Sequence, residues 1–171
     1  MVAVPLEQQV ILRYATRQDL PALEWEGEYK HFRHVFSEAY RLKELGEVII
    51  WVAELEEFGL IGQLFIQLYG PDQIQSNENK YAYIYGFRVR PKYQGFGIGS
   101  QLLQKAETDL LKRGFQRIAL NVARKNKSAR RLYERFGYRV VAPEPGIWSY
   151  LDDEGRRRFV NEPAWRMEKR F

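Results

Sequence analysis

The chain has 171 residues, enough for one domain with a packed core, and 45% hydrophobic with 15% aromatic content supports a globular fold. The absence of cysteine excludes disulfides, thiolate metal ligands and a cysteine nucleophile, and two histidines, His31 and His34, do not suffice for a metal site, so no metal is expected. A net charge of +5 suits either a nucleic-acid partner or a basic pocket for an anionic ligand, and the clustering of positive charge in 112–139 favours the pocket.

The N-terminal stretch Met1 to Gln9 lacks a basic region followed by an apolar block, and no apolar run reaches membrane-span length. A cytoplasmic location without membrane contact is therefore expected. Val10 to Tyr14 reads as a short strand. Thr16-Arg17-Gln18-Asp19 has the form of a helix N-cap with an acid three positions on, followed by Leu20, Leu23 and Trp25 as an apolar stripe. After Gly27, a second helix is predicted over Tyr29 to Leu45, with Phe32, Val35, Phe36, Ala39 and Tyr40 at helical spacing and Gly46 ending it. The β-branched run in Glu47 to Leu55 predicts a buried strand, Glu56 to Gly59 a hairpin turn, and Leu60 to Tyr69 the returning strand. Gly70 to Lys80 is polar, without apolar pattern, and reads as a loop.

Tyr81 to Val89 is an aromatic strand leading into a glycine-rich turn. A helix follows, with Leu102, Leu103, Ala106, Leu110 and Leu111 on its face and Gly114 as its C-terminal cap. Arg117 to Val122 is a fifth strand. Asn126 caps a further helix whose face, Ala129, Leu132, Tyr133 and Phe136, ends at Gly137. Tyr138 to Val141 starts another strand, with a break predicted at Pro143-Glu144-Pro145-Gly146. Ile147 to Leu151 and Arg158 to Val160 form a predicted hairpin around Asp152 to Gly155, and Ala164 to Lys169 a last strand at a sheet edge. No repeat, low-complexity tract or linker divides the chain, so a single domain over 1–171 is expected.

The turn Gln94-Gly95-Phe96-Gly97-Ile98-Gly99-Ser100 sits between a strand and a helix. Its three alternating glycines free the backbone to aim N–H groups at one point, at the positive end of the helix, which suits a phosphate or pyrophosphate. The third glycine comes one residue too early for a Rossmann fingerprint, and no lysine follows Gly99 as a Walker A loop requires. Preceded by Val89-Arg90-Pro91-Lys92-Tyr93, and followed by Asn126-x-x-Ala129-x-x-Leu132-Tyr133-x-x-x-Gly137-Tyr138, the turn resembles the acyl-CoA loop of the GCN5-related N-acetyltransferase superfamily. The likeness is sharp from 84 to 138 and topological outside it.

The resemblance implies an α+β, three-layer acyl-CoA N-acyltransferase fold with a mixed, mostly antiparallel sheet flanked by helices. It implies transfer of an acetyl group from acetyl-CoA, as acyl-donor co-substrate, to a primary amine by direct attack. The backbone of Phe87 and Val89 is expected to pair with the pantetheine amides. The turn residues Gln94, Gly95, Phe96, Gly97, Ile98, Gly99 and Ser100 are expected to hold the pyrophosphate through N–H groups. Asn126 combines helix capping with a contact to the pantetheine chain, and Arg130 reaches toward a phosphate. Tyr133 matches the tyrosine that protonates the departing thiolate; a phenol with a pKa near 10 keeps its proton at neutral pH. The glutamate common on the central strand of the family is absent, since Tyr85 followed by Gly86 stands there. Glu54 and Glu28 are substitute bases, alongside a water oriented by Asn121.

The acceptor is expected among 24–45, 69–80 and 143–163, where Glu24, Glu26, Glu28, Asp72, Asp152, Asp153 and Glu154 would attract a cationic amine. A small or antibiotic-like amine is preferred over a protein N-terminus or lysine. A non-catalytic acyl-CoA-binding module is the alternative from another class. The partners expected are acetyl-CoA and an amine, without nucleic acid, in a monomer or homodimer.

Overall fold

The computed structural model describes residues 3–68 and 80–171. The returning strand's predicted last residue, Tyr69, and almost all of the predicted polar loop lie outside the described residues. The elements, in order, are α1 (Leu6–Gln9), β1 (Ile11–Tyr14), 3-10 turns at Arg17–Glu24 and Lys30–Phe32, α2 (Arg33–Glu44), β2 (Val48–Leu55), β3 (Gly59–Leu68) and β4 (Ala82–Val89). A 3-10 turn at Pro91–Tyr93 then leads to α3 (Ile98–Lys112), β5 (Arg117–Ala123), α4 (Lys127–Arg135), β6 (Arg139–Glu144), β7 (Ile147–Leu151), β8 (Arg157–Asn161) and β9 (Ala164–Arg170).

Seven strands form one sheet in the order β1-β2-β3-β4-β5-β9-β6, and β7 and β8 form a separate hairpin. Within the seven-stranded sheet only β4 and β5 run parallel, with α3 as their crossover. The sheet is therefore mixed and mostly antiparallel. One face packs Leu102, Leu103, Ala106 and Leu110 of α3 and Tyr133 of α4 on Ile66, Ile84, Ile118 and Met167. The other packs Leu23, Phe36 and Ala39 on Ile50, Val52 and Phe65. Because β2 and β3 are covered on both faces, their sequences read as near-continuous apolar runs. No helix among the described residues is long and apolar enough to cross a membrane.

Local chemistry explains the departures from the predicted elements. The Thr16–Asp19 capping box forms as the spacing predicts, but Pro21 lies within the turn it opens, and the segment is 3-10 rather than α. The second helix likewise starts as a 3-10 turn at Lys30–Phe32 before α2 begins. The predicted break at Pro143 does not occur. β6 continues to Glu144, with Pro143 opposite Trp165 and a bulge between Val140 and Ala142. β6 is an edge strand, where a missing N–H costs no ladder bond. The last strand, expected at an edge, lies inside the sheet between β5 and β6. Its alternation has another cause: Met167 points into the α3 core while Arg166 and Glu168 point away, and Glu168 pairs with Arg117 at 3.0 Å. Period-two patterning reports which face is buried, not which side is paired. Helix α1 had no counterpart among the predicted elements.

The β7–β8 hairpin turns around Asp152, as predicted. Burial pushes its carboxyl upward, but the Arg156 N–H at 2.8 Å, the Arg158 guanidinium at 2.8 Å and the Glu154 N–H at 3.0 Å outweigh that and lower its pKa to about 2. A depressed carboxyl stabilises above its unfolded pKa and loses that contribution as pH falls through the folded one. Acid titration of stability is therefore expected to show a loss between about pH 4 and pH 2, and Asp152→Asn to remove it, as read from unfolding curves collected across that range.

Candidate active site

The site begins with one extra residue in β4. Gly62 faces Val89 and Gln63 faces Arg88, but Phe65 faces Tyr85, so Leu64 alone is opposite both Gly86 and Phe87. Gly86 takes φ +58°, and a Cβ there would come within 2.8 Å of the Phe65 ring. Beyond this bulge β4 leaves β5. Their parallel pairing covers Ala82 to Ile84 and ends at Leu120, so the β5-facing edge of β4 is open from Tyr85 onward. The Arg90 N–H donates to Ile61 O at 2.8 Å. In an antiparallel ladder alternate residues face the partner, so Val89 and Phe87 turn their peptide groups into the gap. The Val89 carbonyl accepts from Gln94 Nε2 at 2.8 Å.

At the end of the gap lies the glycine-rich turn. Gln94 departs from expectation, because its N–H donates to Pro91 O at 3.3 Å inside the 3-10 turn. Its contribution is the side chain that holds Val89. The first bond of α3 runs from the Gln101 N–H to Gly97 O, and the N–H groups of Gly95, Phe96, Gly97, Ile98, Gly99 and Ser100 have no main-chain acceptor among the described residues. Gly97 caps the helix at φ +80°, and a Cβ there would meet nothing within 4 Å, so the ground before these donors is open. A 15-residue helix with free N–H groups and open space at its start suits an anion such as a pyrophosphate. The buried Ile98 side chain anchors the turn in the core, whereas Phe96 is exposed.

The second motif lies alongside. Asn126 Oδ1 accepts from the Ala129 N–H at 3.1 Å, the predicted cap of α4. Tyr133 is buried on the inner face, its ring 6.3 Å from that of Phe87 and 5.9 Å from that of Tyr138. Burial, and secondarily the nearby Tyr83, pushes its phenol above the ordinary range. Gly99 joins the pieces, since a Cβ built on it would lie 3.7 Å from Leu132 and Phe87 and 3.9 Å from Val89. Strand edge, glycine-rich turn and tyrosine helix thus meet. Arg130 is turned to its own helix, with Nε 2.8 Å from Glu134.

The two carboxylates singled out as bases are not brought to the gap. Glu54 Oε2 accepts from Arg13 Nε at 2.8 Å, and the same guanidinium grips Asp19 at 2.7 and 2.9 Å, so Glu54 is tied to an ion pair at the β1–β2 side. Glu28 sits on the exposed turn between the 3-10 segments. Asn121, at the end of β5, has its Oδ1 buried without a donor among the described residues. The acids expected to attract a cationic amine are mostly spent on arginines: Glu24 on Arg33 at 2.8 Å, Glu26 on Arg90 at 2.7 Å, Asp152 on Arg158 at 2.8 Å and Glu154 on Arg156 at 2.9 Å. Asp72 lies outside the described residues.

Sequence reasoning missed the opposite wall. Tyr85 stacks near Phe65 with ring centroids 5.3 Å apart, and Arg88 lies over Tyr29 with Cζ 4.5 Å from the ring centroid and 5.4 Å from that of Phe32. The hairpin supplies Tyr150 and Trp148, 4.9 and 6.2 Å from Phe32. The phase change at Gly86 is the signal that places Arg88 here.

A model of the acetyltransferase (GNAT) family matches residues 16–138. YycN of Bacillus subtilis (strain 168), described as an uncharacterized N-acetyltransferase, is 30% identical over 89 residues, 52% of this chain and 54% of that protein. The chain thus spans about half the length of this curated relative. Among solved structures, Arabidopsis thaliana NAA60 in complex with acetyl-CoA superposes with a TM-score of 0.72 at 19% identity, covering 95% of this chain and 98% of that one. A spermidine N-acetyltransferase chimera from Vibrio cholerae and hSSAT gives 0.69 at 20% identity, covering 95% of each. At these identities the likeness is one of fold, the acyl-CoA N-acyltransferase fold.

Gly86→Ala forces a Cβ into the Phe65 ring at an unfavourable φ. A loss of about 1–3 kcal/mol is expected, seen as a Tm lowered by about 2–4 °C per kcal/mol for a chain of this size. An unchanged Tm in thermal unfolding would show that the bulge is not constrained as described.

Proposed function

The chain belongs to the acetyltransferase (GNAT) family of acetyl-transferring enzymes, and we propose that it moves the acetyl group of acetyl-CoA to the primary amine of a small acceptor by direct attack. One observation carries this reading. The α3 donors, the open edge of β4 and buried Tyr133 converge around Gly99, which is the arrangement an extended thioester with a pyrophosphate at one end requires.

In this reading the N–H groups of Gly95 to Ser100 hold the pyrophosphate, and Phe87 and Val89 pair with the pantetheine amides. Asn126 reaches the pantetheine, and Arg130 reaches a phosphate only by leaving Glu134. Bound acetyl-CoA supplies an acetyl group activated as a thioester. The chain orients it so that the incoming nitrogen forms its bond to the acyl carbon as the C–S bond breaks. The Val89 N–H meets the charge developing on the acyl oxygen. Tyr133 gives its phenolic proton to the departing sulfur and recovers one from solvent. The proton lost by the attacking ammonium leaves through water oriented by Asn121 Oδ1, an acceptor without a donor, with Glu28 on its way out. Glu54 has no part, because Arg13 holds it. The net change is thioester plus ammonium to amide, free thiol and one proton.

Acetyl-CoA or CoA at about a hundred times its dissociation constant is expected to stabilise the protein by roughly 2.7 kcal/mol, and ATP not to do so. Thermal unfolding unaffected by either CoA compound would overturn the assignment. Binding without thiol release on any amine would leave an acyl-CoA-binding module. Tyr133→Phe is expected to retain CoA binding while kcat falls about a hundred-fold; undiminished turnover would remove the acid role. With a raised Tyr133, the rate should climb with pH as the acceptor ammonium loses its proton, without a descending limb below about pH 10.

A further inference from the structure

Arg88 occupies an unusual place for an arginine. Its side chain is partly buried on the face of β4 opposite Phe87 and Val89, directly beside the open strand edge. One face of its guanidinium lies on Tyr29 at 4.5 Å, and Phe32 is 5.4 Å away. It forms no ion pair with a described carboxylate, whereas its sequence neighbour Arg90 is gripped by Glu26 at 2.7 and 3.0 Å. Burial lowers its pKa and outweighs Tyr29, which acts on it by charge and by a side-chain hydrogen bond, and the more distant charges of Glu28 and Glu162. A desolvated guanidinium without a paired carboxylate is costly; stacking satisfies its faces and Tyr29 engages one donor, which leaves the rest of its edge of N–H donors.

The deeper wall of the same side offers a donor as well. Gln63, opposite Arg88 on β3, is fully buried; its Oε1 accepts from Trp25 Nε1 at 3.1 Å, while its Nε2 has no partner among the described residues. Around this donor-rich patch the acids that would favour a second ammonium, Glu24 and Glu26, are already neutralised by Arg33 and Arg90. The side from which an amine approaches the gap is thus electropositive at its centre and aromatic at its rim, with Tyr29, Phe32, Trp148 and Tyr150.

We propose that the acceptor is an amine that also carries a carboxylate, of the amino-acid class, whose carboxylate is held by the free edge of Arg88 while its amino group reaches the open edge of β4. This deepens the acetyltransferase reading and rests on it. A planar guanidinium stacked on a ring presents two parallel N–H donors, the match for a carboxylate, and it repels a polyamine.

The test uses matched acceptors: a panel of amino acids as free acids and as their carboxamides, with acetyl-CoA for turnover and with CoA for calorimetric binding. The free acids are expected to exceed their carboxamides in kcat/KM by about 10–100-fold, the range of a charge-assisted hydrogen bond. Arg88→Met should bring that ratio to about one while CoA binding persists, and Arg88→Lys should recover part of it. Equal use of acid and amide, an Arg88→Met ratio like the wild type, or CoA-competent protein that binds and acetylates no free acid would each overturn the proposal. Loss of CoA binding in the wild type would instead strike the acetyltransferase reading, so the two failures are distinct.

Discussion

One extra residue in β4 sets the geometry on which the rest depends. In a regular strand, side chains alternate faces, so Tyr85 on the α2 side would be followed by Phe87 and Val89 on that same side and Arg88 on the other. Placing Gly86 and Phe87 opposite the single residue Leu64 shifts that phase by one. Phe87 and Val89 consequently enter the α3–α4 layer, where they touch the start of α3 and the helix of Tyr133. Arg88 is moved to the α2 layer and onto Tyr29. The same bulge bends the strand end away from β5 and exposes a row of peptide groups. Access to the gap, the direction of its polar groups and the chemistry of its two walls share one cause.

The two walls then differ in kind. On the α3 side the groups facing the gap are backbone N–H donors at a helix start, and Tyr133 beside them is buried so that its proton is retained. Main-chain donors are rigid and need no reorganisation to meet an anion. On the α2 side recognition is left to side chains drawn from distant segments, residues 29–32, 85–88 and 148–150. Such a wall can change with its side chains while the first stays constant. That division fits a fold that keeps one donor and varies its acceptor.

How far the sequence was legible follows from the range of each interaction. The glycine-rich turn, the Asn126 cap and the apolar faces of α3 and α4 are local, and each was read at its position. The family resemblance supplied the parting of the strands, which no local pattern states. Failures came where distant partners decide. Alternation in Ala164 to Lys169 suggests an edge, but its cause is a face left uncovered by helices. Pro143 suggests a stop, but β6 has a neighbour on one side only, and an edge strand tolerates a proline. Glu54 looked available until Arg13, from β1, was found on it.

The same logic explains why the acidic residues misled. Counting carboxylates near a segment measures its formal charge, but the field at a site depends on which of them are already paired. Glu24, Glu26 and Asp152 each have an arginine within 2.8 Å, and a paired carboxylate contributes a dipole rather than a charge to its surroundings. Arg88 is the converse, a cation whose stacking partners are neutral rings, so its field is not cancelled at close range. A sequence lists both kinds of residue alike. Only the pairing, fixed by contacts between segments far apart in the chain, separates the acids already spent on arginines from a guanidinium held by neutral rings.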